Sequence, residues 1–118
     1  MNHKDLDVWK KAMELVLQTY KVTSEYPDSE KFGIISQIRR AVISIPANIA
    51  EGAARNHDKE FIQFLYISLG SLSELETLIL VSINLKYITT DKSEQMIKEL
   101  INIRKLILGL IKYLKTKK

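Results

Sequence analysis

Residues 36–55, SQIRRAVISIPANIAEGAAR, constrain the fold of this chain more than any other stretch. Ile34, Ile35, Ile38, Val42, Ile45 and Ile49 recur at steps of three and four and so fall on one face of a helix. Gln37, Arg40, Ser44, Asn48, Glu51 and Arg55 recur at similar steps on roughly the opposite face. One helix therefore carries a core stripe and an ordered polar stripe, and the polar stripe is where function is to be sought. Pro46 inside it should cost about 3 kcal/mol, because proline lacks an N–H and its ring meets the preceding turn. A kink is expected there, with the Ser44 hydroxyl on freed backbone, serving either to curve the helix or to aim Arg40 and Asn48 at a ligand.

Similar periodicity marks three further helices. The first spans about residues 5–25, with Val8, Ala12, Leu15, Thr19 and Val22 inward, and stops at Tyr26-Pro27. The second spans about 30–54, with Asp28 or Ser29 as its cap. The third follows Asn56-His57-Asp58 and turns Phe61, Phe64, Leu65, Ser68, Leu72, Leu75, Ile79 and Ile83 inward. The fourth spans about 92–114, capped by Thr90 or by an Asp91–Glu94 capping box, with a fraying tail over 115–118. Short connections between long helices bring successive helices together head to tail. The expected fold is all-α: one domain over residues 1–118, an antiparallel up-down-up-down four-helix bundle that forms a ring of identical subunits.

The expectation of a ring rests on surplus apolar surface. Trp9, Met13, Val16 and Tyr20 make a second stripe beside the first helix's core stripe and are candidate subunit contacts. The fourth helix is apolar over more of its circumference than a surface helix needs. Gly52 and Gly70 sit inside helices among small residues, where close backbone packing is the main explanation. Arg39 leans toward a half-apolar face and should seek Glu74 or Glu76, while Glu51 and Arg55 are spaced for an intrahelical pair.

The formal charge is +4, unevenly placed. Residues 92–118 hold eight Lys or Arg and two Glu, a net of +6, and the rest of the chain nets −2. Lys98, Lys105 and Lys112 are seven apart and share one side of the last helix. With Arg40 and Arg55 they are the candidate contacts to a phosphate backbone; a solvated helix face is the structural alternative. No catalytic constellation, metal set or cofactor motif is visible, and His57 reads as a loop or capping residue. The chain lacks cysteine, an N-terminal signal pattern and any run of about 18 uncharged apolar residues, which fits a cytoplasmic protein.

The segments DLDVWKKAMEL (residues 5–15), FGIISQIRRAVISIPANIAEGAAR (32–55) and EFIQFLYISLGSLSELETLI (60–79) resemble the four-helix-bundle family also called the intervening-sequence protein of 23S ribosomal RNA. The resemblance is close over about 5–88 and extends to the fourth helix only by pattern. It implies a left-handed bundle assembled as a homopentamer, similar to the accessory protein of diversity-generating retroelements, which binds nucleic acid through basic surfaces. The matching residues are Arg39, Arg40, Ser44, Pro46, Asn48, Glu51, Gly52, Arg55, Gly70, Ser71 and Glu74, and the resemblance assigns none of them a catalytic role. This chain is only modestly basic for such a binder. The function expected from sequence is thus a non-enzymatic oligomeric bundle that binds RNA or another nucleic acid by backbone electrostatics, with no small-molecule substrate and no membrane. The alternative is a protein-interaction scaffold without nucleic-acid affinity.

Overall fold

In a computed structural model, which describes residues 2–117, the chain forms four long helices and two short 3-10 turns, with no strand among those residues. The helices are α1 (Asp7–Thr23), α2 (Ile34–Ala53), α3 (Asp58–Asn84) and α4 (Thr90–Thr116). They pack around one core in a body of 50 × 24 × 20 Å. The most extensive contact joins α2 to α3; α1 packs beside α2 and α4, α3 beside α4, and α2 stands diagonally across the core from α4. The outer faces of α2 and α4 therefore lie on opposite sides of the bundle.

Burial follows the apolar periodicity. Val8, Ala12, Leu15, Thr19 and Val22 are buried on α1, as are all six apolar positions read on α2. On α3, Phe61, Leu65, Ser68, Leu72, Leu75 and Ile79 are buried, whereas Phe64 and Ile83 are half-buried. Each fully buried Leu or Ile of this set contributes about 1.5–3 kcal/mol relative to an exposed one.

The helix ends depart from the sequence expectation for local reasons. Pro27 is extended, and Asp28–Glu30 then close a 3-10 turn instead of starting α2, so neither Asp28 nor Ser29 caps it. Gly33 holds the cap position, where a Cβ would meet the Glu30 carboxylate at 2.5 Å. Helix α4 starts earlier than expected because Thr89 is its cap, its hydroxyl accepting from the Lys92 N–H at 3.3 Å. Asp91 and Glu94 therefore lie inside the helix rather than boxing its start. The tail does not fray where expected: α4 runs to Thr116 and Lys117 Nζ reaches Asp58 at 3.2 Å, while Lys118 lies outside the described residues.

The end of α3 closes on Lys86, whose φ is +62°. The Tyr87 N–H donates to the Ser82 carbonyl at 2.9 Å and the Lys86 N–H to that of Ile83 at 3.0 Å, a closure that normally uses glycine. We expect Lys86→Gly to raise the unfolding free energy by about 1 kcal/mol, read from urea melts, since glycine adopts this backbone without the steric penalty of a Cβ. An unchanged or lower midpoint would show that the lysine side chain offsets its own strain.

By length and composition α3 is apolar enough to cross a membrane, a property the sequence reading did not assign because Glu74 and Glu76 interrupt its uncharged run. Only 28% of its most apolar stretch is buried within this chain. Its inward face forms the core, Ser68 donates to the Ile45 carbonyl of α2 at 3.0 Å, and Glu76 accepts from Arg104 of α4 at 2.9 Å. The outward face carries Ile67 one turn before Gly70 and Leu80 and Val81 about three turns after it, with Ile67 50% and Leu80 48% exposed.

Candidate nucleic-acid interface

Seven residues make nearly two helical turns, so Lys98, Lys105 and Lys112 return to one side of α4. All three are exposed, and the helix rise separates the first from the last by roughly 21 Å. Between them lie Ile101, Asn102, Leu108 and Gly109, also exposed. Among the described residues none of the three lysines makes an ion pair. Their neighbours on α4 are occupied: Lys92 pairs with Glu25, Arg104 with Glu76 and Lys117 with Asp58. Lys98 shares a shallow groove with Asp91, Glu94 and Gln95, which weakens its field. Along α4 no carboxylate lies within four positions of Lys105 or Lys112, so the positive charge of this helix is concentrated on its C-terminal half.

The two arginines grouped with these lysines by sequence do not join them. Arg40 sits on α2 and Arg55 just beyond its end, and α2 stands diagonally across the bundle from α4. Arg55 is held by Glu51 at 3.0 Å and Glu60 at 3.8 Å, with its guanidinium 5.0 Å from the Phe64 ring centre. Two carboxylates leave it little charge to offer a phosphate. Arg40 is exposed beside a cleft of about 340 Å³ between α2 and α3, lined also by Gln37, Ser44 and Glu74.

The remaining motif residues build the α2–α3 contact. Ser44 and Ser71 share a hydrogen bond of 2.7 Å across the two helices. The Asn48 amide donates to the Ser44 carbonyl at 2.8 Å and to its hydroxyl at 3.0 Å. Ser44 thus bonds side chains rather than backbone freed by Pro46, and α2 continues through the buried proline as one helix. Gly52 packs as expected: a Cβ there would stand 2.8 Å from both Phe61 Cδ1 and Phe64 Cβ. Gly70 does not pack within the chain, because a Cβ on it would meet nothing within 4 Å.

Arg39 finds neither expected glutamate. Its Nε donates to the Thr23 hydroxyl at 3.0 Å and its guanidinium lies 4.3 Å over the Tyr20 ring. The end of α1 is nearer to it than α3, and a hydroxyl, a carbonyl and a ring face satisfy the cation there. Of the candidate subunit contacts, Met13 and Tyr20 are exposed and Trp9 and Val16 half-buried; Arg39 lies over the Tyr20 ring and His3 packs edge-on against Trp9. His57 stands at the N-cap of α3 without a side-chain capping bond.

Perturbed titrations lie away from the lysines, at the loop end of the bundle. The hydrogen bond from Lys92 holds the Glu25 carboxyl below its usual value. Burial raises the Tyr26 hydroxyl, and donation to Glu30 raises that of Tyr87. These groups join the end of α1 and the 3-10 turn after it to the α3–α4 connection and the start of α4.

One surface feature escaped the sequence reading. Tyr66 of α3 and Tyr113 of α4 are exposed, and lysines lie over both rings. The Tyr113–Lys117 spacing was visible along one helix, but Tyr66 meets Lys115 only through the packing of α3 on α4.

Comparison with known proteins fits this architecture. The sequence pattern of the 23S rRNA-intervening sequence protein family matches residues 4–109. The chain belongs to that family. A crystal structure of a protein of unknown function from the S23 ribosomal protein family of Bacteroides thetaiotaomicron is similar to it, with a TM-score of 0.84 and 28% identity. That similarity covers 95% of this chain and 99% of the other. No functionally curated protein matches. The family resemblance inferred from the SQIRRAVISIPANIAEG stretch is therefore correct, and it extends over most of α4.

Proposed function

We propose that this family member is a non-enzymatic, self-associating bundle of up-down-up-down helices that binds RNA through the backbone, using the lysine face of α4. The carrying observation is that Lys98, Lys105 and Lys112 are aligned, exposed and free of ion pairs among the described residues. Cations left unneutralised on a rigid helix are the arrangement that exchanges counterions for phosphates. The family's printed association with 23S rRNA makes RNA the first ligand to try. Self-association supplies the rest, since copies of one basic helix around a ring add their fields; five copies is the number the family resemblance implies.

The open face of α3 supports self-association over a lipid contact. It combines Ile67, Leu80 and Val81 with the carboxylate of Glu74, which would be costly in hydrocarbon. A second copy can bring an arginine such as Arg40 to that carboxylate. In a bare exposed helix Gly70→Ala would stabilise the fold by about 1 kcal/mol. We expect the alanine variant instead to shift the assembly toward smaller species in sedimentation at fixed concentration, because a neighbouring helix needs the space its Cβ takes. An unshifted distribution would remove Gly70 from the interface.

Light scattering with and without ribosomal RNA fragments, at two salt concentrations, tests the whole proposal. A closed oligomer that takes up RNA at low salt and releases it at high salt is the expected result. A closed oligomer indifferent to RNA would favour the protein-scaffold reading, which the apolar α3 face also supports, and a monomer would refute the assembly.

A further inference from the structure

Tyr66 and Tyr113 lie on neighbouring helices where the C-terminal end of α4 meets the N-terminal part of α3, and they are 48% and 55% exposed. Lys115 donates to the Tyr66 hydroxyl at 3.2 Å with its ammonium 5.5 Å from the ring centre. Lys117 stands 5.9 Å from the Tyr113 ring centre, while its ammonium also reaches Asp58 at 3.2 Å. Lys112, the last member of the unpaired stripe, adjoins Tyr113 in the chain.

We infer that Tyr66 and Tyr113, with Lys115 and Lys117 beside them, form a stacking platform of two separate rings for unpaired nucleobases, one on each flank of the α4 lysine face, so that the ligand of that face is single-stranded or looped nucleic acid rather than duplex. This inference rests on the nucleic-acid reading above and narrows it. Neither ring belongs to the hydrophobic core. Each is held by a cation, so less ring motion is lost when a base settles on the exposed part of its surface. An unpaired nucleotide offers two groups at once, a flat π surface and a phosphate. The tyrosines suit the first and the lysines the second. A duplex keeps its base faces in its own stack and can use only the lysine stripe. An acidic peptide likewise satisfies the lysines but has no comparable π surface for the rings.

Fluorescence anisotropy at low salt decides the question, with a labelled oligouridylate and a labelled duplex RNA of equal length as probes. Wild type should bind the single strand at least about fivefold more tightly than the duplex, the lower end of what one stacked base provides. Tyr66→Ala/Tyr113→Ala should lose that preference with duplex affinity unchanged, and Tyr66→Phe/Tyr113→Phe should keep it. Circular dichroism of both variants establishes that they are folded; if the alanine pair is not, Tyr66→Leu/Tyr113→Leu replaces it and should lose the preference in the same way. Equal affinity of wild type for the two probes, or a preference that survives in the alanine or leucine pair, overturns the platform and leaves backbone binding standing. Binding of neither probe overturns the nucleic-acid reading itself. Polyglutamate competing as well as oligouridylate assigns the surface to an acidic protein and also overturns the platform.

Discussion

Lys105→Glu/Lys112→Glu is expected to abolish RNA binding at physiological salt while leaving the helical circular dichroism and the melting temperature near those of wild type. Both side chains are exposed and neither takes part in an ion pair among the described residues, so the fold loses no ion pair. Binding loses much more. Each phosphate neutralised contributes about 0.7 to the slope of log affinity against log salt for a single strand and about 0.9 for duplex DNA. Three lysines per subunit thus predict a slope of roughly −2 to −3 for each subunit engaged. Reversing two of them removes two favourable terms and adds two repulsions, leaving only Lys98 in its acidic groove. Gel shifts over a salt series provide the measurement. Undiminished affinity in the double variant, or a flat salt dependence in wild type, would refute backbone binding by α4. Arg55→Ala is the useful contrast, since Glu51 and Glu60 already balance that cation and its loss should alter RNA affinity little.

Gly52→Val is expected to remove much of the protein's stability. Even the Cβ of alanine would stand 2.8 Å from Phe61 Cδ1 and Phe64 Cβ and 3.2 Å from the Phe61 carbonyl. Two of these atoms are close to or part of the α3 backbone, so rotating a side chain cannot make room and α2 must move away from α3. Overpacking of this kind typically costs about 1–3 kcal/mol, which for Gly52→Ala is partly offset by about 1 kcal/mol of better helix propensity. Valine adds two methyl groups and loses that offset, and we expect a loss of roughly 3 kcal/mol or more against a total that is typically about 5–15 kcal/mol. Urea denaturation monitored by circular dichroism reads it directly. A midpoint for Gly52→Ala at or above that of wild type would mean that the two helices are not in rigid contact there.

The two mid-helix glycines show what a sequence of this kind reveals and what it withholds. Both interrupt apolar helices among small neighbours, and the same local pattern suggested packing for each. Gly52 is packed because the short α2–α3 connection returns Phe61 and Phe64 over it; Gly70 points away from every other helix of its own chain. Orientation about the α3 axis decides between them, and it depends on which side of α3 receives α2 and α4. The inward stripes of α1 and α2 were legible because burial follows a single periodicity that needs no partner to be specified. The partner of Arg39 was not, since hydroxyls, carbonyls, rings and carboxylates all accept a guanidinium, and proximity chose Thr23 and Tyr20. Glu76 went to Arg104 for the same reason. Arg40 and Arg55 looked like companions of the α4 lysines because charge in a sequence has no direction, whereas α2 and α4 stand diagonally across the bundle with their outer faces opposed. The shift in the start of α2 came from the 3-10 turn after Pro27, which uses the polar residues that would otherwise cap the helix.

The uneven placement of charge also has an order in time. The α2–α3 contact joins helices separated by a short connection, so it can form while the chain is still being made, since domains assemble progressively from the N-terminal side during synthesis. Residues 1–91 carry ten basic and twelve acidic groups, a slight negative balance. The ribosome that makes it is itself a polyanion. On the reading proposed above, the helix that would hold the chain to phosphate is the last of the four to emerge, after the α2–α3 contact can form.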